Sequence, residues 1–488
     1  MLTLADLFQC FTNTRPAGTE RIEISSVVVD SRQVQAGSLF VAMQGESLDG
    51  HTFIPDARAR GAAAIVAETR AGVGEGLGPN THLINTTNPS VAGLQPGPSP
   101  LAPVVFLVDS SLAALQQLAT FWRRKFDAVQ VIGVTGSVGK SSTKELIAAV
   151  LRQRYNTLKS EGNLNNEIGL PLTLLQLNET HQRAVLEMGM YALGEIKMLS
   201  DIARPRIGVV TNVGPVHLER LGSIENITRA KAELVEALPA DGVAILNGDD
   251  ARVITMKENT KARVFCYGFN PDCDVWADQV ESFGLEGIGF VLHRDTEELH
   301  VRVPLLGRHS VHTALAATSV GLAEGMTWDE ILRGLQDVSA QLRLIVVPAA
   351  NGATIIDDTY NASPASSLAA LNLMAEMSER KIAVLGDMLE LGTEEQSGHQ
   401  VVGGRAAQVV DVLIAVGTRG KWIGQAARDA GMSEEQVFFA DTNLQAIEIL
   451  QKVMRAGDMV LVKGSRGAKM EEIVSALSRI IESGSETD

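Results

Sequence analysis

Cysteine is scarce in this sequence, and long apolar runs are missing from it. The three cysteines, Cys10, Cys266 and Cys273, are odd in number, widely spaced and never arranged as C-x-x-C. This pattern argues against a disulfide framework and against a zinc ribbon. No apolar run approaches the roughly 18 residues that a membrane helix needs, and the N-terminus lacks the basic and apolar segments of a signal peptide. The sequence therefore predicts a cytoplasmic protein without membrane insertion.

Positive charge is also in short supply. The 42 Lys and Arg residues face 58 Asp and Glu residues, which gives a formal net charge of −16. Such a charge argues against general binding to nucleic acid or to anionic membranes, so any anionic substrate must meet a local group of Lys and Arg side chains. At about 150 residues per domain, a chain of 488 residues is expected to form three domains.

One stretch, V-I-G-V-T-G-S-V-G-K-S-S-T-K-E-L-I-A at residues 131–148, predicts a strand, a glycine loop and a helix. This is the order of a phosphate-binding loop, in which backbone N–H groups and the helix N-terminus meet phosphate oxygens. Lys140 would supply a charge for the outer phosphates, and Ser141 or Ser142 an oxygen for Mg²⁺. The commonest form of the motif has glycine where Val134 stands. A merely tight turn is the alternative, but it does not explain Lys-Ser at the helix start.

Strands and helices are expected to alternate along the chain, which predicts an α/β fold with parallel sheets. We expect a small α/β domain over residues 1–108, a central phosphate-loop domain over 109–342 and a Rossmann-like α/β domain over 343–488. Residues 69–103 are rich in Gly, Pro, Asn and Ser and predict a long flexible surface loop. Three strands of the last domain end in glycine, and ligands of open α/β sheets bind beyond such carboxyl ends.

Three side chains of the central domain are candidates for chemistry, and each has a structural alternative. Glu187 ends an apolar strand and is placed to hold Mg²⁺, although a solvated acid at a strand end explains it equally well. His217 follows a strand, where a lone histidine is more often structural. Lys231 lies in the helical pattern R-A-K-A-E-L, where a solvated lysine is the simpler interpretation.

The last domain offers two further motifs. Asp357 and Asp358 follow a predicted strand, where two acids suit ribose hydroxyls or a metal but also a capped turn. The segment K-G-S-R-G at residues 463–467 is similar to an anion-binding turn, and it is too short to decide a function by itself.

Together these motifs resemble the Mur ligase family, in order and over nearly the whole chain. D-S-R at residues 30–32, G-S-L-F-V-A-M and D-G-H-T-F are similar to the family's uridine-nucleotide domain. T-G-S-V-G-K-S-S-T-K-E is similar to its phosphate loop, except that Val138 stands where Asn or Lys is usual. Further similar segments are G-N-L-N-N-E-I-G-L-P, E-M-G-M, H-L-E, A-K-A-E, N-G-D-D, D-D-T-Y-N-A-S-P, G-D-M-L-E-L-G and K-G-S-R-G.

The resemblance implies a role for each matching position. It implies ATP binding by Thr135, Gly136, Ser137, Val138, Gly139, Lys140, Ser141, Ser142, Asn247, His309, Arg343 and Asp358. It implies that two Mg²⁺ ions are held by Ser141, Glu187, His217 and a carbamate on Lys231. The catalytic residues that it implies are Lys140, Lys231, His217 and Glu187. It implies substrate contacts from Ser31, Arg32, Asp49, Asn163, Asn165, Asn166, Tyr360 and Asn361.

The reaction implied by the resemblance is ATP-dependent amide formation in peptidoglycan precursor synthesis. The motifs favour the branch that joins D-alanyl-D-alanine to UDP-N-acetylmuramoyl-tripeptide through an acyl phosphate, carried out by a monomer whose last domain closes over the ATP. The D-N-P-R motif that reads a diamino acid in a neighbouring branch is absent from this sequence. The alternatives are an amide ligase of the diamino-acid-adding or folylpolyglutamate type and a nucleotide-binding ATPase without ligase chemistry.

The sequence departs from the family pattern at the start of a predicted helix. Ser310 and Thr313 stand where asparagine is usual on the adenine side, and Ser363 also stands where asparagine is usual. His312 is a candidate to stack on adenine in their place.

Overall fold

The computed structural model describes residues 1–45, 48–69, 81–86, 103–337 and 345–478. In these ranges the strands form three sheets of five, nine and six strands. The chain divides into two compact units. The first holds Met1–Gly133, Tyr155–Gly189 and Glu195–Arg206, and the second holds Val134–Arg154, Met190–Gly194 and Ile207–Asp488. No helix of the described residues is long and apolar enough to cross a membrane.

The first sheet consists of short apolar strands, β1 (Val27–Val28), β2 (Leu39–Val41), β3 (Ala64–Glu68), β4 (His82–Asn85) and β5 (Val104–Val108). Their pairings are parallel, in the order β1-β2-β3-β5-β4. Helices α1 (Leu4–Thr12) and α2 (Ile54–Ala59) belong to this part of the chain. Thr3 and Asp6 begin α1 as a capping box, in which each side chain accepts the other residue's backbone N–H. Residues such as Phe40 and Ile65 fill the core of this α/β layer.

The prediction of one long surface loop over residues 69–103 is wrong for part of that range. Strand β4 pairs in parallel with β5, and its Ile84 is buried with 2% exposure. Residues 70–80 and 87–102 of the predicted loop lie outside the described residues. The sequence pattern does not predict this strand, because its apolar part is only Leu83-Ile84 and turn-forming segments flank these two residues.

The nine strands of the second sheet are β6 (Gln130–Thr135), β7 (Thr157–Lys159), β8 (Arg183–Glu187), β9 (Ile207–Val210), β10 (Val243–Asn247), β11 (Arg263–Gly268), β12 (Val275–Ser282), β13 (Ile288–Arg294) and β14 (Glu297–Val303). Their order is β14-β13-β12-β11-β10-β9-β6-β8-β7. The pairs from β9 to β12 and the pair β7–β8 are parallel, which is the predicted kind of sheet, although β7, β11 and β12 are not among the predicted strands. Strands β12, β13 and β14 pair antiparallel, and this extension is not among the predicted strands.

The helices of this central region are α3 (Ser111–Lys125), α4 (Lys140–Leu151), α5 (Gly169–Leu174), α6 (Glu195–Ala203), α7 (Leu218–Leu221), α8 (Ile224–Glu236), α9 (Ala251–Thr255), α10 (Ser310–Ala323) and α11 (Trp328–Leu335). Ser110 caps α3 and Ser223 caps α8 through their side-chain oxygens. Helix α4 buries Leu146, Ile147 and Val150. The phosphate-loop helix is therefore anchored by its apolar residues, and its N-terminal end carries the loop.

The third sheet is formed by β15 (Ile345–Pro348), β16 (Thr354–Asp358), β17 (Lys381–Leu385), β18 (Val412–Val416), β19 (Val437–Ala440) and β20 (Met459–Lys463). Its order is β15-β16-β20-β17-β18-β19, parallel except for the edge strand β15. The helices here are α12 (Pro364–Ala375), α13 (Glu395–Val409), α14 (Gly417–Asp429), α15 (Asn443–Val453) and α16 (Glu471–Leu477). Separate apolar clusters cover the two faces of the sheet, which is the predicted Rossmann-like arrangement.

The sequence argues against a disulfide framework, and the structure contains one disulfide bond that the sequence did not predict. Cys266 and Cys273 are bonded, with Cα atoms 4.8 Å apart, and Cys10 is free. The pair forms because β11 and β12 run side by side, while the backbone N–H of Cys273 donates to Asn270 O and closes the turn between them. A seven-residue separation gives no sequence signal of this kind, since only the turn brings the two sulfurs together.

Candidate active site

The predicted phosphate loop follows β6 and is fixed by the segment after β9. Ser137 Oγ donates to Gly214 O (3.0 Å) and accepts from Gly214 N (2.8 Å). The backbone N–H of Val138 donates to Asn212 Oδ1, and Asn212 Nδ2 donates back to Val138 O, both at 2.8 Å. These bonds use only the backbone of Val138. The loop therefore keeps its conformation without the asparagine or lysine that the family usually has at this position.

Two glycines of the loop have backbone conformations that disfavour other residues. Gly136 has φ +149°, and Gly139, which caps α4, has φ +82°. A Cβ on Gly136 would lie 1.9 Å from Thr211 Oγ1, whereas a Cβ on Gly139 would meet no atom within 4 Å. Thr211 has little freedom to move aside, because its hydroxyl donates to Val138 O at 2.8 Å.

Alanine substitutions at Gly136 and Gly139 are expected to distinguish the steric clash with Thr211 from the strain of a positive φ. Gly139→Ala should cost about 1 kcal/mol of stability through its positive φ alone. Gly136→Ala should cost about 2–4 kcal/mol, because overpacking adds to the strain. Differential scanning calorimetry of the two variants would measure the difference. Equal unfolding temperatures would contradict the close contact between Gly136 and Thr211.

Lys140 begins α4, and its ammonium is bound to the loop. Nζ donates to the carbonyl oxygens of Gly136 (2.8 Å) and Ser137 (3.3 Å). In the same first turn Ser141 is buried and Ser142 half-buried. The first N–H groups of a helix lack partners within the helix and carry its positive dipole end, so this turn is suited to an anion.

Lys231 is buried inside the second unit, which excludes the interpretation as a solvated lysine. Its exposure is 2%, and among the described residues its ammonium has no hydrogen bond or ion pair. Burial, followed by the charge of Lys140, lowers the pKa of Lys231 well below its usual value. The spacing gave a signal for this burial: Lys231 lies four residues from both Ile227 and Val235, on the apolar side of α8.

His217 lies between the end of β9 and α7, and it contacts the last predicted domain. Its Nδ1 is 2.5 Å from Glu390 Oε2. Burial is the main cause that lowers the pKa of His217, and the charges of Lys140 and Lys231 lower it further while Glu390 opposes them. The charge of Lys140 thus acts on both Lys231 and His217, so the structure brings these three predicted catalytic residues close together.

Glu187 ends β8 in the first unit, and the interpretation as a solvated acid is excluded by its 1% exposure. Asn165 Nδ2 donates to Glu187 Oε1 at 2.8 Å, and Gly189 N donates to Asn165 O. The neighbouring Asn166 accepts backbone N–H groups at the start of α5, while the backbone oxygen of Asn163 accepts from Asn165 N. Of the three predicted substrate asparagines, Asn165 therefore orients Glu187. Asn163 and Asn166 stabilise the turn that carries Asn165.

The predicted adenine side lies beyond the carboxyl ends of β10 and β11. Asn247 Nδ2 donates to Thr211 O at 2.8 Å, and His309 directly precedes α10. His312 Nε2 is 2.7 Å from Asp249 Oδ2, and its ring meets Phe269 edge-on with centroids 4.7 Å apart. Asp249 stands in the N-G-D-D motif, to which the resemblance gave no role at this position, and Phe269 belongs to no matched motif. No local signal links these side chains, because the three-residue cluster is formed by the fold.

In the last predicted domain, Asp358 is paired rather than free. Lys463 Nζ is 2.6 Å from Asp358 Oδ2 and donates to Asn361 O at 2.9 Å. Asp357 accepts the backbone N–H and the hydroxyl of Thr359, so the capped-turn interpretation is confirmed for this acid. The side chain of Tyr360 is half-buried, and Arg343 lies outside the described residues.

The predicted uridine-side residues stabilise turns of the first unit. Arg32 pairs with Asp30 at 2.6 Å while its side chain stays 83% exposed. Ser31 is buried, and Asp49 Oδ1 lies 2.7 Å from His51 Nδ1. Arg32 thus keeps an exposed cation that can meet an anionic group.

Three family models match the chain. The one described as Mur ligase family, catalytic domain, matches residues 23–121; Mur ligase middle domain matches 134–321; and Mur ligase, glutamate ligase domain, matches 342–466. The UDP-N-acetylmuramoyl-tripeptide–D-alanyl-D-alanine ligase of Bacillus subtilis is 35% identical over 94% of each chain. Its Escherichia coli counterpart is 34% identical over 93% of this chain and 94% of its own. The chain belongs to the Mur ligase family.

Solved structures agree with this assignment. MurF from Acinetobacter baumannii superposes on this Mur ligase with a TM-score of 0.81 and 29% identity, over 97% of this chain and 98% of that one. MurF ligase from Thermotoga maritima, solved in complex with ADP, superposes with a TM-score of 0.74 and 27% sequence identity. The superposition covers 92% of this chain and 96% of that one. The predicted family, the three-domain α/β fold and the ligase class of the enzyme are confirmed.

The structure of this Mur ligase also constrains how a metal ion can be held. Within the described ranges, no three His, Cys, Asp or Glu side chains form a group that could hold a metal ion by themselves. A metal held here would therefore need other oxygen donors, such as a serine hydroxyl, a modified lysine or substrate phosphates.

Proposed function

We propose that this Mur ligase joins D-alanyl-D-alanine to UDP-N-acetylmuramoyl-tripeptide in peptidoglycan precursor synthesis, with ATP cleaved to ADP and phosphate. The observation that carries the proposal is the likeness to the B. subtilis and E. coli ligases, at 34–35% identity over at least 93% of each chain. The proximity of Lys140, His217 and Lys231 in the second unit supports it, because a reaction between polyanions needs a cation for the phosphates and ligands for a neutralising metal ion.

The phosphate loop and the N-terminal turn of α4 are proposed to bind the ATP phosphates. Lys140 would neutralise charge that develops on the transferred phosphoryl group. Asn247, His309, Asp358 and Arg343 are proposed for the remainder of the nucleotide. The Thermotoga relative that was solved with ADP supports the assignment of a nucleotide site to this fold.

Ser141, Glu187, His217 and Lys231 are proposed to hold two Mg²⁺ ions. The fit is best at Lys231, because burial and the charge of Lys140 lower the pKa of its amine well below the usual value, and only the neutral amine adds CO₂. The carbamate that results, with release of one proton, would replace a buried amine by an anionic oxygen ligand. Bound Mg²⁺ would supply electrostatic stabilisation of the phosphates and of the attacking carboxylate.

The substrate contacts are proposed for two groups of residues. Ser31, Arg32 and Asp49 would bind the uridine nucleotide, with the exposed Arg32 guanidinium facing its phosphates. Asn163, Asn165 and Asn166, together with Tyr360 and Asn361, would contact the peptide. The domain boundaries 1–108, 109–342 and 343–488 are proposed with the same roles: uridine nucleotide, ATP and domain closure.

The proposed chemistry has two steps. The terminal carboxylate of the tripeptide attacks the γ-phosphorus of ATP, ADP leaves, and an acyl phosphate forms. The amine of D-alanyl-D-alanine then attacks the acyl carbon, phosphate leaves, and the amine proton is released. The protein contributes positioning and charge neutralisation, and it must exclude water, which would hydrolyse the acyl phosphate.

A phosphate-release assay tests this function. The enzyme with ATP, Mg²⁺ and UDP-N-acetylmuramoyl-tripeptide should release phosphate rapidly only when D-alanyl-D-alanine is added. Parallel reactions with a diamino acid and with glutamate address the two related ligase types. Rapid release with either of these amines, or without any amine, would contradict the proposal.

A further inference from the structure

Glu390 reaches the predicted metal ligand His217 from a distant part of the chain. The two residues are 173 positions apart, and Glu390 Oε2 lies 2.5 Å from His217 Nδ1. Glu390 belongs to G-D-M-L-E-L-G, which sequence analysis matched to the family without giving this acid a role. The neighbouring ring of Tyr191 meets the His217 ring edge-on at 4.8 Å, so the imidazole is held from two directions.

The segment that carries Glu390 is fixed by hydrogen bonds to its backbone. Met388 N donates to His399 Nε2, and Leu389 N donates to Ser465 Oγ, both at 2.9 Å. Ser465 N donates to Asp387 O at 2.9 Å. His399 is fully buried and Ser465 is 3% exposed. Glu390 is therefore presented by a rigid segment, and the K-G-S-R-G motif contributes to that rigidity through Ser465.

Both partners of the contact have a backbone conformation that residues other than glycine rarely adopt. His217 has φ +55° and Glu390 has φ +64°, and each such residue costs about 1 kcal/mol or more. The two segments also approach closely, since a Cβ on Gly392 would lie 3.1 Å from Glu219 N. Strain of this kind persists where the surroundings determine the geometry, and it concentrates at functional sites.

We propose that Glu390 is a positioning residue for His217. Its carboxylate accepts a hydrogen bond from the Nδ1–H group of the imidazole. This bond fixes the tautomer and the orientation of the ring and leaves the Nε2 lone pair for a divalent cation. The inference rests on the proposed function for the identity of that cation. The contact itself depends only on the geometry of the two side chains.

Two variants separate this role from a structural one. Glu390→Asn removes the reach of the side chain but suits a left-handed backbone, and Glu390→Gln keeps the length and an accepting oxygen. The matched control is Glu394→Gln, a nearby glutamate whose side chain accepts from Ser397. In protein labelled with ¹⁵N-histidine, His217 of the wild type should show a protonated Nδ1. This signature should be lost in Glu390→Asn and retained in Glu390→Gln and in the control.

The second readout is Mn²⁺ binding in the presence of ADP, followed by electron paramagnetic resonance. Glu390→Asn should weaken Mn²⁺ binding about tenfold to a hundredfold, with a smaller loss in Glu390→Gln and none in the control. An unchanged Nδ1 signal and unchanged Mn²⁺ affinity in Glu390→Asn would overturn the positioning role. If the wild type released no phosphate in response to D-alanyl-D-alanine, the proposed function would be contradicted instead. The tautomer measurement would still test whether Glu390 positions His217.

Discussion

Lys231→Ala is expected to lose at least about a hundredfold in turnover, a loss of the size seen when groups that support a metal site are removed. The residue is buried, has no partner among the described residues and is held at a lowered pKa. These features favour CO₂ addition and do not fit a lysine that stabilises the fold through its charge. A phosphate-release assay with both substrates would measure the loss. Arg229→Ala is the matched control, because it removes an exposed cation from the same helix.

Chemical rescue distinguishes a carbamate from a simple ammonium at this position. A short carboxylic acid such as formate should partly restore Lys231→Ala, because the truncated side chain leaves room for a replacement oxygen ligand. It should not restore Lys231→Met, whose side chain fills that room. Wild-type enzyme stripped of CO₂ should slow and recover with bicarbonate. Wild-type turnover in Lys231→Ala, or no carbamate signal in ¹³C spectra of active enzyme supplied with ¹³C-bicarbonate, would contradict the assignment.

Stability should change in the opposite direction to activity in Lys231→Met. In enzyme freed of CO₂ and metal, replacing this buried amine by an apolar side chain of similar length removes a desolvation penalty. The variant is therefore expected to unfold at a higher temperature than the wild type while remaining inactive. This combination would show that the lysine is retained for chemistry.

Lys140→Ala is expected to lose about a thousandfold or more in turnover, similar to the removal of one preorganised charge or donor at a developing anion. The fold should survive, because the bonds from Nζ to the carbonyl oxygens of Gly136 and Ser137 are only partly buried. Lys140→Arg should not restore activity, since a planar guanidinium cannot replace a compact ammonium in a tight loop.

Single-turnover assays and ADP titration would locate the defect of Lys140→Ala. The chemical step should be slowed far more than ADP binding is weakened, because Lys140 is assigned to the outer phosphates. Lys197→Ala, which removes an exposed lysine paired with Asp201 along α6, is the control. Near-normal turnover in Lys140→Ala would contradict the location of the ATP site.

Local patterns predicted the parts of the fold that depend on neighbouring residues. The phosphate loop and the parallel strands depend on short segments, where glycine and β-branched residues have direct conformational effects. Local sequence did not predict the strand β4, the antiparallel strands β13 and β14 or the Cys266–Cys273 disulfide. Each of these features depends on the segment with which it pairs, and not on its own residues alone.

The candidate site shows the same division. Lys140 and Glu187 could be selected from their positions after strands, and their chemistry follows from residue type. The Glu390–His217 contact joins residues 173 positions apart, and neither segment contains a signal for the other. The burial of Lys231 was present in the helical spacing, but a charged residue on an apolar face is easily read as solvated.

The left-handed conformations of His217 and Glu390 also set a limit on protein engineering. Asparagine or glycine at either position would relax the backbone by about 1 kcal/mol, so a screen that rewards heat resistance alone would favour these replacements. The same replacements would remove the imidazole or the carboxylate that the proposed metal site requires. Thermostable variants of this enzyme should therefore be sought with both positions held constant, since at these two residues stability and catalysis make opposing demands.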